Sequence, residues 1–316
     1  MRYPKPLPPE LIGRPFTVAE ANALGVSRAR LRASDIRRLA RGVYTYVPPS
    51  AEPEIHPHAP STFDPFTLDA VEARCPGAVW IGAVATQAWG LPNPLTHDDP
   101  RPQLLLPPDS HRRTCQTHRV VIGSVQDSEI ALISGRRVLR PAPLLPYLAR
   151  TWAPEDVVAV GDLALRRGLM TVEAALSAAS RRGPCNGRTA RLIAVLDARS
   201  ASPMESRLRY KLMESGIPRP RCNYTVLWAP PGYRGGEAEW LGELDLAWPE
   251  AHVGVEYDGE PHAKPRARSL DYAKRALFAQ HGWEVIPVTA WDYFNSMPAV
   301  VSKVRDALRS ASLRSA

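Results

Sequence analysis

Apolar and polar positions along the chain change their period three times, and proline-rich polar stretches separate the changes. The first block runs over residues 14–48. Thr17-Val-Ala-Glu20 reads as a capping box that opens a short helix ending at Gly25. Ser27 then caps a second short helix, from Arg28 to about Ser34. From Leu39 to Tyr46 the pattern turns to alternating β-branched and aromatic residues. Helix, glycine turn, helix and strand together predict a winged helix-turn-helix. Residues 49–63 carry little apolar content and read as a linker.

The second block, residues 64–197, predicts a mixed α/β module. Helices are expected near Leu68–Arg74 and Ala83–Trp89, with strands at Val79–Ile81, Gln103–Leu106 and Arg119–Ile122. Two amphipathic helices close it, near Pro154–Arg167 and Thr171–Ser180. Its histidines, His97, His111 and His118, are too loosely spaced to mark a ligand set.

The third block, residues 201–310, opens on a second capping box, Ser202-Pro-Met-Glu205, with proline at the first helical position. That helix stops at Gly216. Strands follow at about Leu241–Ala247, His252–Asp258 and Glu284–Thr289. A basic amphipathic helix near Arg268–His281 lies between the last two, and a final helix fits Ala299–Ser310. The expected class is therefore α/β, or more closely a multidomain α+β chain.

Composition adds a partner class. The 316 residues carry a formal charge of +8, a balance that favours an acidic partner, nucleic acid being the commonest. Six arginines (Arg28, Arg30, Arg32, Arg37, Arg38 and Arg41) fall between positions 28 and 41 against one acid, Asp35. Two readings fit them: a solvated basic face, or a DNA-binding surface on the winged element. No apolar run approaches the roughly 18 residues of a membrane span, so no membrane association is expected. The first ten residues lack the apolar core of a signal peptide. Four scattered cysteines without a C-x-x-C spacing argue against zinc and against a disulfide framework, and fit a cytoplasmic setting.

The third block holds the chemistry. Glu243, Asp245 and Ala247 share one face of their strand, as do Gly254, Glu256 and Asp258 of the next. The connection Pro249-Glu-Ala251 is short enough to make the two strands an antiparallel hairpin. A turn centred near Glu250 puts Asp245 almost opposite Glu256, with Cβ atoms about 5 Å apart. Asp258 lies two residues further along that face. Three carboxylates so placed repel one another. A divalent cation would relieve that repulsion, and oxygen-only ligands with room for water suit Mg²⁺ or Mn²⁺. The bland alternative is a solvent-facing acidic hairpin without metal.

These residues resemble a known family. Asp245, Glu256-x-Asp258-Gly-x-x-His262, Asp271-x-x-x-Arg275 and Gly282-Trp-Glu-Val are similar to the very-short-patch-repair-like branch of the PD-(D/E)XK nuclease superfamily, over roughly 202–308. The resemblance implies a restriction-endonuclease-like mixed sheet flanked by helices. It implies metal binding at Asp245 and Glu256, with His262 orienting water or acting as general base. Glu205 matches the acidic residue of that superfamily's first helix. One position departs: Asp258 stands where the superfamily usually places lysine, and Lys264 is a candidate substitute. Lys264, Arg266 and Arg268 form a basic loop suited to phosphate. At the front, Phe16-Thr-Val-Ala-Glu20, Gly25-Val-Ser-Arg28 and Arg41-Gly-Val-Tyr44 resemble the winged-helix domain of AbiEi-type antitoxins. That resemblance implies a toxin partner. A single nuclease site cuts one strand, so double-strand cleavage would call for a homodimer. The combined expectation is a Mg²⁺-dependent endonuclease acting on double-stranded DNA. The alternative is a transcriptional regulator or antitoxin with a weak or inactive nuclease fold.

Overall fold

A computed structural model describes residues 6–12, 16–33, 35–40, 42–46, 63–96, 99, 101–181, 187–229, 239–259 and 274–314. The chain is a multidomain α+β protein of two compact units, Met1–Leu148 and Ala149–Ala316. The expected linker lies, apart from Phe63, outside the described residues.

In the first unit, β1 (Phe16–Thr17), α1 (Val18–Ala23), β2 (Ile36–Ala40) and β3 (Val43–Tyr46) form the front element, with sheet order β1-β3-β2. The capping box at Thr17 closes as its sequence requires. The Thr17 hydroxyl accepts from the Glu20 N–H at 3.2 Å, and Glu20 accepts from the Thr17 N–H at 2.6 Å. Leu7, Leu11, Phe16, Ala21, Val26, Leu31 and Ile36 make a small core beneath it. The expected second helix is shorter than its arginine-rich sequence suggested. Ser27 does cap the Arg30 N–H, but the helical stretch is a 3-10 turn over Arg30–Arg32, ended by the extended Ala33. The strand follows too soon for an α-helix to propagate, since a first turn costs more than it returns until several more residues join it.

The rest of this unit is built on α2 (Pro65–Glu72), β4 (Val79–Ile81), α3 (Gly82–Ala88), β5 (Gln103–Leu106), β6 (Arg119–Ile122), β7 (Ile130–Ile133) and β8 (Arg136–Leu139). The strands form a mixed sheet in the order β6-β5-β4-β8-β7, with β4 and β8 parallel at its centre. Arg136 on β8 pairs with both Asp69 and Glu72, which fixes α2 to the sheet. The helix α4 (Pro141–Thr151) follows.

The second unit begins with α5 (Pro154–Arg166), α6 (Val172–Arg181) and α7 (Gly187–Ala194), then α8 (Pro203–Glu214). The sequence pattern groups the first three with the middle module, whereas α5 packs on α8. Two buried ion pairs join them. Arg207 Nε donates to Asp156 Oδ1 at 2.7 Å, and Arg209 Nη2 to Asp162 Oδ2 at 2.7 Å. Next come β9 (Arg221–Trp228), β10 (Glu239–Trp248) and β11 (Val253–Asp258), a helix α9 described over 274–280, and β12 (Glu284–Thr289). The short α10 (Ala290–Asn295) and the long α11 (Met297–Arg314) end the unit. The sheet order is β12-β11-β10-β9, antiparallel except for the parallel pair β11–β12, whose crossover contains α9. No helix among the described residues is long and apolar enough to cross a membrane.

Candidate active site

The site forms where β10 and β11 part. Their ladder pairs Trp248 with Val253, Ala247 with Gly254 and Leu246 with Val255. One step further the same register brings Asp245 to Glu256, as the strand phasing predicts. There the ladder opens. β11 continues alongside β12, Glu256 to Pro287 and Asp258 to Thr289. Asp245 fills the opening: its Oδ2 accepts from the Tyr257 N–H at 2.7 Å. A side chain thus takes over a backbone bond that the diverging strand would otherwise lose.

The charges around Asp245 differ from the trio read in the sequence. Desolvation, with smaller contributions from Glu205 and Glu256, raises the Asp245 carboxyl to about 6 against the opposing pull of the Tyr257 N–H and Lys274. Glu205, from outside the hairpin, thus acts on Asp245 along with Glu256. Asp258 is carried to the exposed end of β11 as that strand follows β12. Glu205 arrives from the first turn of α8, where Ser202 caps the helix. Its carboxylate does not close the box on the Ser202 N–H. It reaches past, accepting from the Ala201 N–H at 2.9 Å and from Asn223 Nδ2 at 2.8 Å. Asn223 holds a left-handed backbone, φ 45°, in β9, a conformation asparagine tolerates better than most residues.

Lys274, on α9, is the residue that sequence reasoning missed. Its ammonium pairs with Glu256 and donates to the Glu243 carbonyl at 2.9 Å. It brings an ammonium to these carboxylates although neither β10 nor β11 contains a lysine. The signal that could have found it is Gly242. This glycine has φ +145° at a bulge between Trp240 and Gly242, and a Cβ there would lie 3.0 Å from Phe278 Cζ and 3.1 Å from Lys274 Cε. A glycine inside a strand marks such a close approach. Gly242→Ala is expected to push Lys274 off Glu256 and to lower stability by about 1–3 kcal/mol, the usual range for overpacking. An unchanged urea midpoint would contradict that account.

Among the described residues no group of three or more His, Cys, Asp or Glu side chains is arranged to hold a metal ion. The donor chemistry fits a less demanding site. Asp245 and Glu256 each offer a hard oxygen beyond their hydrogen-bonded one, and Mg²⁺ is commonly held by one or two carboxylates, water and substrate phosphate. His262, Lys264, Arg266 and Arg268 lie outside the described residues, as do Asp271 and Arg41.

In the front element Arg28, Arg32 and Arg38 are exposed, and Arg37 occupies a strand position opposite Thr45. Arg30 has a structural partner: its fork grips both oxygens of Asp35 at 2.6 Å. That hydrogen-bonded pairing holds the Asp35 carboxyl below its usual range, and it ties the 3-10 turn to the start of β2.

No family model matches the chain. Two curated proteins of Mycobacterium tuberculosis are similar to it: MT2308 from strain CDC 1551 / Oshkosh and Rv2248 from strain ATCC 25618 / H37Rv, both described as uncharacterized. Each is 31% identical over 165 residues, which is 51% of this chain and 57% of the relative. The chain thus spans little more than half the length of these relatives. A solved structure, the RV2827C protein from Mycobacterium tuberculosis, aligns with a TM-score of 0.40 at 16% identity, over 69% of this chain and 84% of that one.

Proposed function

We propose that this protein binds double-stranded DNA and hydrolyses a phosphodiester bond with Mg²⁺ or Mn²⁺ at the Asp245–Glu256 fork. The observation that supports this most is the raised Asp245 carboxyl, crowded by Glu256 and Glu205 at the opening of a sheet. Neighbouring carboxylates that cannot comfortably all ionise are what a divalent cation satisfies, and they cluster at functional sites. Asp245 and Glu256 would hold the ion, which on this fold supplies an activated water and a counter-charge for the phosphate. Glu205, anchored by Ala201 and Asn223, keeps the local potential negative. Lys274 holds Glu256 in place and sets its ammonium where phosphate charge would arrive. Asp258 tunes the mouth of the site, and His262 handles the proton. Arg28, Arg32, Arg37, Arg38 and Arg41, with Lys264, Arg266 and Arg268, would engage the DNA backbone.

The full chain with Mn²⁺ or Mg²⁺ is expected to nick supercoiled plasmid, and Glu256→Gln is expected to abolish nicking. Equal nicking by that variant would overturn the assignment. One observation favours a second reading: Lys274 already neutralises Glu256, as it would in a nuclease fold kept for binding alone. Absence of nicking with any divalent ion, together with a footprint on the protein's own promoter, would point to an autorepressor or antitoxin with a toxin partner.

A further inference from the structure

In the first unit the fold gathers two cysteines that the sequence keeps forty residues apart. Cys75 follows α2 and is buried; Cys115 lies in the loop between β5 and β6 and is exposed. His118, 5% exposed, touches both. Both sulfurs are 3.8 Å from the same ring nitrogen, Nε2, and Cys115 Sγ also lies 3.4 Å from Nδ1. The Cys115 N–H donates to the His118 carbonyl at 3.0 Å, so both side chains come from one tight turn. The Thr117 hydroxyl lies 3.2 Å from Cys115 Sγ and 3.0 Å from His118 Nδ1.

We propose that Cys115 and Cys75 form a hydroperoxide-sensitive thiol pair, with Cys115 the thiol oxidised first, Cys75 the resolving thiol and His118 the proton carrier between them. Access divides the roles, because a reacting cysteine must meet its oxidant and a resolving one only its partner. The acidities agree. Burial raises Cys115, but the Thr117 hydroxyl, the Thr117 and His118 amides and Arg74 outweigh it and lower the thiol below its ordinary value. Burial keeps Cys75 protonated. Burial, with Arg74, Arg112 and Arg101, holds His118 neutral. In the tautomer whose Nδ1–H donates to the Thr117 hydroxyl, Nε2 is an acceptor within reach of Cys75.

In the first step the Cys115 thiolate attacks a hydroperoxide oxygen. An S–O bond forms, the O–O bond breaks, and the leaving alkoxide or hydroxide takes a proton from water. Sulfur is oxidised to the sulfenic acid and the peroxide is reduced. In the second step Cys75 gives its proton to His118 Nε2 and attacks the Cys115 sulfur. The S–O bond breaks, the hydroxide recovers the proton from the imidazolium as water, and a Cys75–Cys115 disulfide remains. Loop residues 107–118 are then tied to the end of α2.

The test treats the full chain with hydrogen peroxide, maps its thiols by peptide mass spectrometry and probes it with dimedone. The expected product is one Cys75–Cys115 cross-link, reversed by dithiothreitol, with two titratable thiols lost per chain. In Cys75→Ser a Cys115–dimedone adduct accumulates, and in Cys115→Ser Cys75 stays reduced. Near-ultraviolet dichroism of each variant confirms folding before oxidation. The more conservative His118→Gln retains the cross-link but forms it more slowly. A cross-link joining Cys115 to any other cysteine overturns the proposal. So does an adduct that accumulates equally in wild type and Cys75→Ser, or zinc co-purifying with the reduced chain.

Discussion

Asp162→Ala is expected to destabilise the second unit by about 3–5 kcal/mol, the cost of leaving one member of a buried ion pair behind. Both side chains are essentially sealed from solvent, Arg209 at 0% and Asp162 at 1%. Once the carboxylate is gone, Arg209 retains the Val195 carbonyl, 2.7 Å from Nη1, and the weak Met213 sulfur acceptor at 3.8 Å, and no counter-charge at Nη2. The Asp197 N–H, which Asp162 Oδ1 accepts at 2.7 Å, also loses its acceptor. A single-domain unit of this size changes its melting midpoint by roughly 2–4 °C per kcal/mol, so thermal denaturation followed by tryptophan emission reads the effect directly. The double variant Asp162→Leu with Arg209→Met is expected to recover most of the loss, because an apolar pair of similar bulk removes the stranded charge. A single variant within 1 kcal/mol of wild type would show that water or a neighbour relieves Arg209.

The same pair marks a limit of sequence reading. The amphipathic period identifies α5 and α8, and proline with Ser202 fixes where α8 starts. Periodicity does not say that Asp156 and Asp162 turn toward arginines about fifty residues away, so α5 reads as part of the preceding module. The hairpin at the site was legible for a local reason. Period-2 alternation and a three-residue connection leave few registers, and the one that buries Leu246 and Val255 also sets Asp245 opposite Glu256. β7 and β8 were not among the expected strands, although Ser134-Gly135 between them, both with positive φ, is a turn signal. α4 was hidden by Pro141, Pro143 and Pro146, which sit where the first turn and tertiary packing tolerate them. Lys274 was legible only indirectly: Gly242 signals that something approaches the strand closely, but not which side chain. Its place depends on a bulge at Gly242 and a crossover helix, both properties of the folded sheet.

Asp245→Asn is expected to have opposite effects on stability and on function. The Asp245 carboxyl stands near 6 when folded against 3.8 for an ordinary aspartate, so between those values the folded chain binds more protons than the unfolded one. Stability therefore falls as pH rises from about 4 to 6, and the full cost persists at neutral pH. A shift of that size corresponds to on the order of 3 kcal/mol as an upper value, one pKa unit being about 1.4 kcal/mol. Asparagine is always neutral, and its side-chain oxygen can still accept from the Tyr257 N–H. The variant should then be about 1–3 kcal/mol more stable than wild type at pH 7.5 and gain nothing at pH 3.5. A divalent ion bound at the fork would erase the difference by stabilising wild type alone, through its preference for the folded carboxylates. Plasmid nicking should fall by at least about a hundredfold, the scale lost when a metal-centred charge stabiliser is removed. Melting curves of both proteins, with and without Mn²⁺ at the two pH values, read all of this at once. A variant less stable than wild type at pH 7.5 would mean that Asp245 is tied to its neighbours for structure. Equal stabilisation of both proteins by Mn²⁺ would place the ion elsewhere, because the only oxygen charge removed is the one on which the proposed site depends.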